Sequence, residues 1–544
     1  MISTAVRTIA ELPFAAAATH GDQPAQRAQR DGEWVDTSFR ELAGTVRALA
    51  RGLVRAGIAP GDRVAVLADT SPQWTHAGLA VLAAGGVLVP IYPSSSAEEC
   101  RWVLADSGAR MLICSDAGQA AKADRAALPD LASVVVIAEG GLAELATDGG
   151  DEEIDRRLAA IDPAGPAIII YTSGTTGPPK GCVLTHDNWL TLCEVNARLP
   201  YIVGGDVVYL FLPLAHVFAQ ITQYASLDAG ATLAYFGGDV RAIVPELAQV
   251  RPTFLPSVPR IFEKVYTALP PGVDPAVVRG VFGGRLRLAL SGAAPISPAV
   301  LEFFHAAGVP VLEGYSMTES CGIGTVNTLA HHRIGSVGVA APGTEVRVAE
   351  DGEVLMRGPH IFAGYWRDPA ATAAVLSEDG WLHTGDLGTL DEGGFLTITG
   401  RKKDIIITAG GKNIAPANLE NDLRQSRWIS YAVMYGDRKP YPVALLTLDP
   451  EEILPWARER GLPGDLDALA VHPDVHALLQ EVIDAANARY ARVVQVKRFA
   501  VLPRDLSLES GELTPTLKVK RATVYANHAA ALAALYDEES DGRG

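Results

Sequence analysis

Between Ser38 and Tyr171, short apolar runs and helix-period segments take turns, and this alternation limits the chain to few architectures. Ser38 and Glu41 stand at the spacing in which a hydroxyl and a carboxylate cap each other's backbone amides, and Leu42, Val46, Leu49 and Leu53 then recur on one helical face. Residues 57–62 read as a turn, 64–67 as a buried strand, 72–84 as a helix and 87–92 as the next strand. Further strands are expected at 111–114, 133–138 and 167–171. Strands so short and uniformly apolar are covered on both faces, which predicts an α/β fold with mostly parallel sheets.

The 544 residues exceed what one core usually holds, so several subdomains are expected. The acidic, Gly-containing stretch 147–155 reads as a surface loop. From Glu345 onward short strands and Gly turns, at 352–357 and 393–399, predict a β-rich subdomain. Beyond Lys403, strands at 405–407, 431–435, 443–448 and 493–501 with a helix at 475–490 predict a small α+β domain. The expected division is 1–402 and 403–544.

Apolar residues make up 48% and charged residues 20%, the balance of a globular protein, and a net charge of −17 argues against nucleic acid as a partner. Cys100, Cys114, Cys182, Cys193 and Cys321 are odd in number and lack C-x-x-C spacing, which fits a reducing cytoplasm. The uncharged stretch 77–92 is too short for a transmembrane span and contains Gly85, Gly86 and Pro90, so helix, turn and strand are expected there. No transmembrane segment is expected; peripheral contact with a membrane stays open on sequence grounds.

Directly after apolar residues 167–170 comes YTSGTTGPPKG, residues 171–181. Gly174 and Gly177 permit close backbone approach, Thr172, Ser173, Thr175 and Thr176 offer hydroxyls, and Lys180 adds charge, which together suit an oligophosphate. It is not a Walker loop, because Pro179 stands where Gly is required and Gly181 where Ser or Thr is required. The string resembles the phosphate loop of the adenylate-forming superfamily of acyl-CoA synthetases, luciferases and peptide-synthetase adenylation domains.

Further strings follow in that superfamily's order. The resemblance implies that in EGYSMTE, 313–319, Gly314 and Tyr315 meet adenine, Thr318 the α-phosphate and Glu319 a magnesium ion. In WLHTGD, 381–386, it implies that Asp386 accepts from the ribose hydroxyls, and in GRKKDIIITAGG, 400–411, that Arg401 joins it. Lys403 falls at the hinge, Lys402 reads as a solvated basic side chain, and Gly410 and Gly411 would line the pantetheine tunnel. LTPTLKVKR, 513–521, aligns Lys518 with the catalytic lysine and leaves Lys520 either functional or on the surface. His216 in LPLAHVF matches a position beside the substrate carboxylate.

The implied reaction is activation of a hydrophobic carboxylic acid by ATP and Mg²⁺, followed by transfer to coenzyme A after the small domain turns about Lys403. RKKDIIITAGGKN, PLAHVFAQ, LPSVPRIFEKVY and GELTPTLKVKR are similar to long-chain fatty acyl-CoA synthetases. Only two dozen residues separate Tyr266 from Ser291, where those enzymes carry a longer helical insertion, so medium-chain, polyketide and polycyclic acids are also candidates. An enzyme that loads an acyl-carrier protein, or performs one half-reaction, is the alternative. A noncatalytic nucleotide or acyl-CoA sensor would have shed its charged catalytic groups, yet Lys180, Glu319, Asp386, Arg401 and Lys518 are all retained.

Overall fold

The computed structural model describes residues 2–172, 178–270 and 272–537. Ser38 caps the helix Phe39–Arg55 reciprocally with Glu41, and the apolar face of that helix is buried. The helix Pro72–Ala83 and the strand Val87–Ile91 follow, joined by Gly85 at φ +79°. Arg63–Leu67 pairs in parallel with Val87–Ile91 on one side and Ala109–Cys114 on the other, the β-α-β arrangement expected of buried strands.

These strands belong to a seven-stranded sheet, and Val207–Leu210, Thr232–Tyr235, Phe254–Ser257, Leu288–Ser291 and Val311–Tyr315 form the centre of a nine-stranded one. The fold is α/β with mostly parallel sheets. One antiparallel pair matters: Pro166–Thr172 pairs with Lys180–Thr185, with Thr172 opposite Lys180. Glu345–Val348, Glu353–Arg357, Leu382–Leu390 and Leu396–Arg401 then make an antiparallel four-stranded sheet.

Residues past 405 gather around two further clusters, which use opposite faces of the strands Ile429–Tyr435, Val443–Leu448 and Arg498–Val501. Ile429, Leu446 and Leu448 pack on one face with Leu479 and Ile483; Val433, Val443 and Leu445 pack on the other with Leu502 and Leu513.

Two expectations are corrected. The acidic stretch 147–155 is not all loop, because the helix Glu152–Ala160 begins inside it with three acidic residues in its first turn, where they favour the helix N-terminus. Arg47 and Arg51 of the first long helix also pair with Asp151. The strand expected at 493–501 is only Arg498–Val501, since the Asn487 side chain caps the backbone at Val496 and holds the approach as a turn.

Candidate active site

Tyr315 closes the strand Val311–Tyr315, and Asp386 and Arg401 face each other in register across two neighbouring antiparallel strands. The three meet. Tyr315 donates its hydroxyl to Asp386 Oδ2 at 2.7 Å and Arg401 Nε donates to Oδ1 at 3.0 Å, so both oxygens of a buried carboxylate are engaged. Burial and the adjacent carboxylate push the Tyr315 hydroxyl well above its ordinary pKa, which keeps it a donor. Gly314 pairs with Val326 in the short antiparallel extension of the sheet.

Thr318, Glu319 and Ser320 form one tight 3₁₀ turn, all buried. Glu319 Oε1 accepts from the Tyr365 hydroxyl at 2.8 Å, and the Lys180 ammonium lies 5.2 Å from the centre of the same Tyr365 ring. Tyr365 thus bridges the carboxylate and the cation. No sequence pattern singles it out: its strand Gly364–Tyr365 is two residues long and joins the sheet beside Lys180–Thr185. Thr172 contacts the Cys182 thiol at 3.8 Å, and burial first, then Glu319, raise that thiol's pKa, so it stays protonated. Ser173, Gly174, Thr175, Thr176 and Gly177 lie outside the described residues.

His216 is the N-cap of the helix Val217–Ala229, and its Nδ1 accepts from the Phe218 amide at 3.1 Å. Burial, with the positive charge of Lys518 second, lowers its pKa to about 3, so the imidazole is neutral at physiological pH. With Nδ1 an acceptor, the proton sits on Nε2, which is the donor left for a ligand. Beside it the Phe218 ring lies 3.2 Å from where a Cβ on Gly292 would be, and Gly322, at φ +71°, packs against Ile221 and Val217. An apolar wall therefore adjoins the histidine.

Lys518 arrives from the C-terminal region on a tight turn in which Thr514 N donates to Lys518 O at 2.8 Å and Lys518 N to Thr514 Oγ1 at 3.0 Å. The surrounding protein lowers its pKa by desolvation, Arg401 lowers it further, and Asp386 and Glu319 act against both. One lysine thus feels the nucleotide-side pair, the Glu319 turn and, reciprocally, His216.

Gly410 and Gly411 stand apart, exposed in the turn between Ile406–Ile407 and Asn413–Ile414. Lys403 is exposed in the 3₁₀ turn Lys402–Asp404. Lys402 is not free in solvent: its ammonium binds Asp351 at 2.6 Å and Glu353 at 3.1 Å, which ties the residue before Lys403 to the antiparallel sheet. Lys520 pairs with Glu99 at 3.6 Å.

Residues 14–366 match the AMP-binding enzyme family, and residues 403–540 match the AMP-binding enzyme C-terminal domain. The chain belongs to this adenylate-forming family and stands close to its long-chain fatty acyl-CoA synthetases. It is similar to the long-chain-fatty-acid–CoA ligase FadD15 of Mycobacterium bovis, at 38% identity over 94% of each chain. It is 31% identical to the peroxisomal long chain acyl-CoA synthetase 6 of Arabidopsis thaliana, over 91% of this chain and 81% of that one. Among solved structures, the Mycobacterium tuberculosis fatty acyl CoA synthetase superposes with a TM-score of 0.67 at 25% identity, covering 96% of this chain and 99% of that one.

Proposed function

We propose that this chain is an AMP-forming acyl-CoA synthetase that converts a hydrophobic carboxylic acid, ATP and coenzyme A to acyl-CoA, AMP and pyrophosphate. The observation that carries the reading is that the turn presenting Lys518 docks on the nucleotide-side part of the chain, with Ser94 donating to the Pro515 carbonyl at 3.3 Å and Lys520 pairing with Glu99 at 3.6 Å, where the charges of Arg401, Asp386 and Glu319 act on Lys518. The relatives' names make a long-chain fatty acid the first acid to test. The apolar wall at Val217, Phe218 and Ile221 suits such a tail.

In the first step a carboxylate oxygen attacks the α-phosphorus of ATP and the bond to the bridging oxygen of pyrophosphate breaks. Asp386 would hold the ribose with Arg401, Tyr315 and Gly314 the adenine, and Thr318, Lys180 and 172–177 the phosphates. The neutral His216 would donate from Nε2 to the acid, and protonated Lys518 would place its charge where oxygen charge accumulates. Glu319, a buried carboxylate with hard oxygen donors, would hold a magnesium ion. Such an ion supplies neutralisation of phosphate charge.

The second step needs Lys518 withdrawn and a channel for the thiol. We assign 1–402 and 403–544 as the domains, Lys403 as the pivot beside anchored Lys402, and Gly410 and Gly411 as the groups that reach the adenylate after rotation. No described helix is long and apolar enough to cross a membrane.

Pyrophosphate release with ATP, Mg²⁺ and a panel of acids, followed by addition of coenzyme A or a phosphopantetheinylated carrier protein, tests the reading. Release with a hydrophobic acid and thioester formation on coenzyme A are expected. Thioester only on the carrier protein, or no release from any acid, would overturn it.

A further inference from the structure

Arg260 and Lys264 lie one turn apart on the helix Pro259–Ala268, inside the string LPSVPRIFEKVY, far in sequence from every nucleotide-side residue. Arg260 pairs with Asp449 at 2.8 Å and Lys264 with Glu451 at 3.2 Å, across 189 and 187 residues. Asp449 is the N-cap of the helix Pro450–Glu459, and Glu451 is in its first turn. A cation brought to a helix N-terminus meets the positive end of its dipole, so this docking depends on the two carboxylates. The Glu263 carboxyl, between the two cations on the same helix, is desolvated here and faces Arg424 of the C-terminal unit as well as Arg260.

We infer that Arg260 and Lys264 are positioning residues that hold the C-terminal unit in the orientation which places Lys518 at the acid and the α-phosphate. The inference rests on the synthetase reading above. A continuous packed path supports it. Asp449 directly follows the strand Val443–Leu448, whose Val443 and Leu445 pack with Leu502, Leu506 and Leu513, and Leu513 begins the turn that presents Lys518. Fixing Asp449 therefore fixes the sheet, and the sheet fixes the turn. A second set of contacts flanks the lysine itself: Ser94 donates to the Pro515 carbonyl at 3.3 Å, and Lys520 pairs with Glu99. Two separated attachments define an orientation; one would leave rotation about itself.

Of the two ion pairs, Arg260 to Asp449 carries more weight. The Asp449 side chain is only 12% exposed, whereas Lys264 and Glu451 are 56% and 68% exposed and screened by water. Reversing both cations in R260E/K264E sets four carboxylates against one another at this junction.

The test measures the two half-reactions separately in the full chain. For R260E/K264E, the single-turnover rate of pyrophosphate formation at saturating acid and ATP should fall about tenfold, because the competent orientation is less populated. The KM for the acid should stay unchanged, and the rate at which coenzyme A consumes synthetic acyl-AMP should be unchanged or higher. Adding D449N, which keeps a capping side chain, and E451K should restore most of the first rate. If the reversed variant melts early, R260A serves in its place with the same comparison. Equal loss in both half-reactions, no loss in the first, or no recovery on restoring complementarity would overturn the inference. Absence of pyrophosphate from the unmodified chain with every acid would instead remove the synthetase reading.

Discussion

Tyr315 donates its hydroxyl to Asp386 Oδ2 at 2.7 Å, across 71 residues, while Arg401 holds the other oxygen. The pair fixes the carboxylate before any nucleotide arrives. Y315F keeps the ring and removes this bond to a charged acceptor, an interaction worth about 1.5–3 kcal/mol. The KM for ATP should therefore rise roughly tenfold with a smaller change in kcat. D386A should be worse, since it strands Arg401 as well as Tyr315. Steady-state kinetics with ATP varied and acid saturating gives the comparison.

Lys518 should divide the two half-reactions. K518A should abolish acyl-AMP formation, measured as pyrophosphate, and largely spare thioester formation from supplied acyl-AMP. The pH dependence carries its own sign. The lysine acts protonated, and desolvation with Arg401 depresses its pKa below the ordinary 10.5, so adenylation should decline on the alkaline side earlier than a free lysine would allow. That decline should be absent from the thioester step, measured with synthetic acyl-AMP over the same pH range.

Local signals made much of this chain legible. The reciprocal cap of Ser38 and Glu41 involves residues three apart, and the helix it starts was expected for that reason. The strands Arg63–Leu67, Val87–Ile91 and Ala109–Cys114 followed from apolar runs that must be covered on both faces, whereas the more polar strands Pro24–Arg30 and Glu33–Ser38 and the helix Glu152–Ala160 did not. Tyr365 was not legible, because it reaches Glu319 across 46 residues from a two-residue strand with no periodicity. Lys402 reads as a solvated cation in its own string, and only the fold of the antiparallel sheet brings Asp351 and Glu353 to it, 51 and 49 residues away. A composition of charges says nothing about which strand will lie opposite. The charged junction at Arg260 and Asp449 was hidden for the same reason.

Glu313 supplies a stability test independent of catalysis. It lies beside the nucleotide-side residues, is 8% exposed, and burial raises its carboxyl from 4.5 to about 7, against a bond from the Ile296 amide. Below pH 4.5 the group is neutral in both folded and unfolded chains and carries no penalty. Between 4.5 and 7 the unfolded chain ionises first, so stability falls as pH rises, and the loss is complete above 7. E313Q should remove up to about 3 kcal/mol of this dependence. Melting temperatures of the two proteins should thus be similar at pH 5 and separate at pH 8 in favour of E313Q.

Gly411 provides the complement to Lys518. It sits at φ +73° in an exposed turn, and a Cβ built there meets nothing within 4 Å. A side chain at this position is therefore penalised only by the left-handed backbone, about 1 kcal/mol, and the fold should survive. In the orientation observed, Gly411 is exposed and its amide donates within its own turn, to the Thr408 carbonyl at 2.8 Å, so G411L should leave the pyrophosphate burst intact. If rotation about Lys403 brings the turn to the adenylate, the leucine then stands in the path of the pantetheine arm, and the rate of thioester formation from acyl-AMP should drop at least tenfold. Stopped-flow pyrophosphate detection and thioester formation from synthetic acyl-AMP measure the two arms on the same preparation. A G411L chain with both rates intact would place the thiol's approach elsewhere. A chain that loses the burst would mean that this turn already serves the first step.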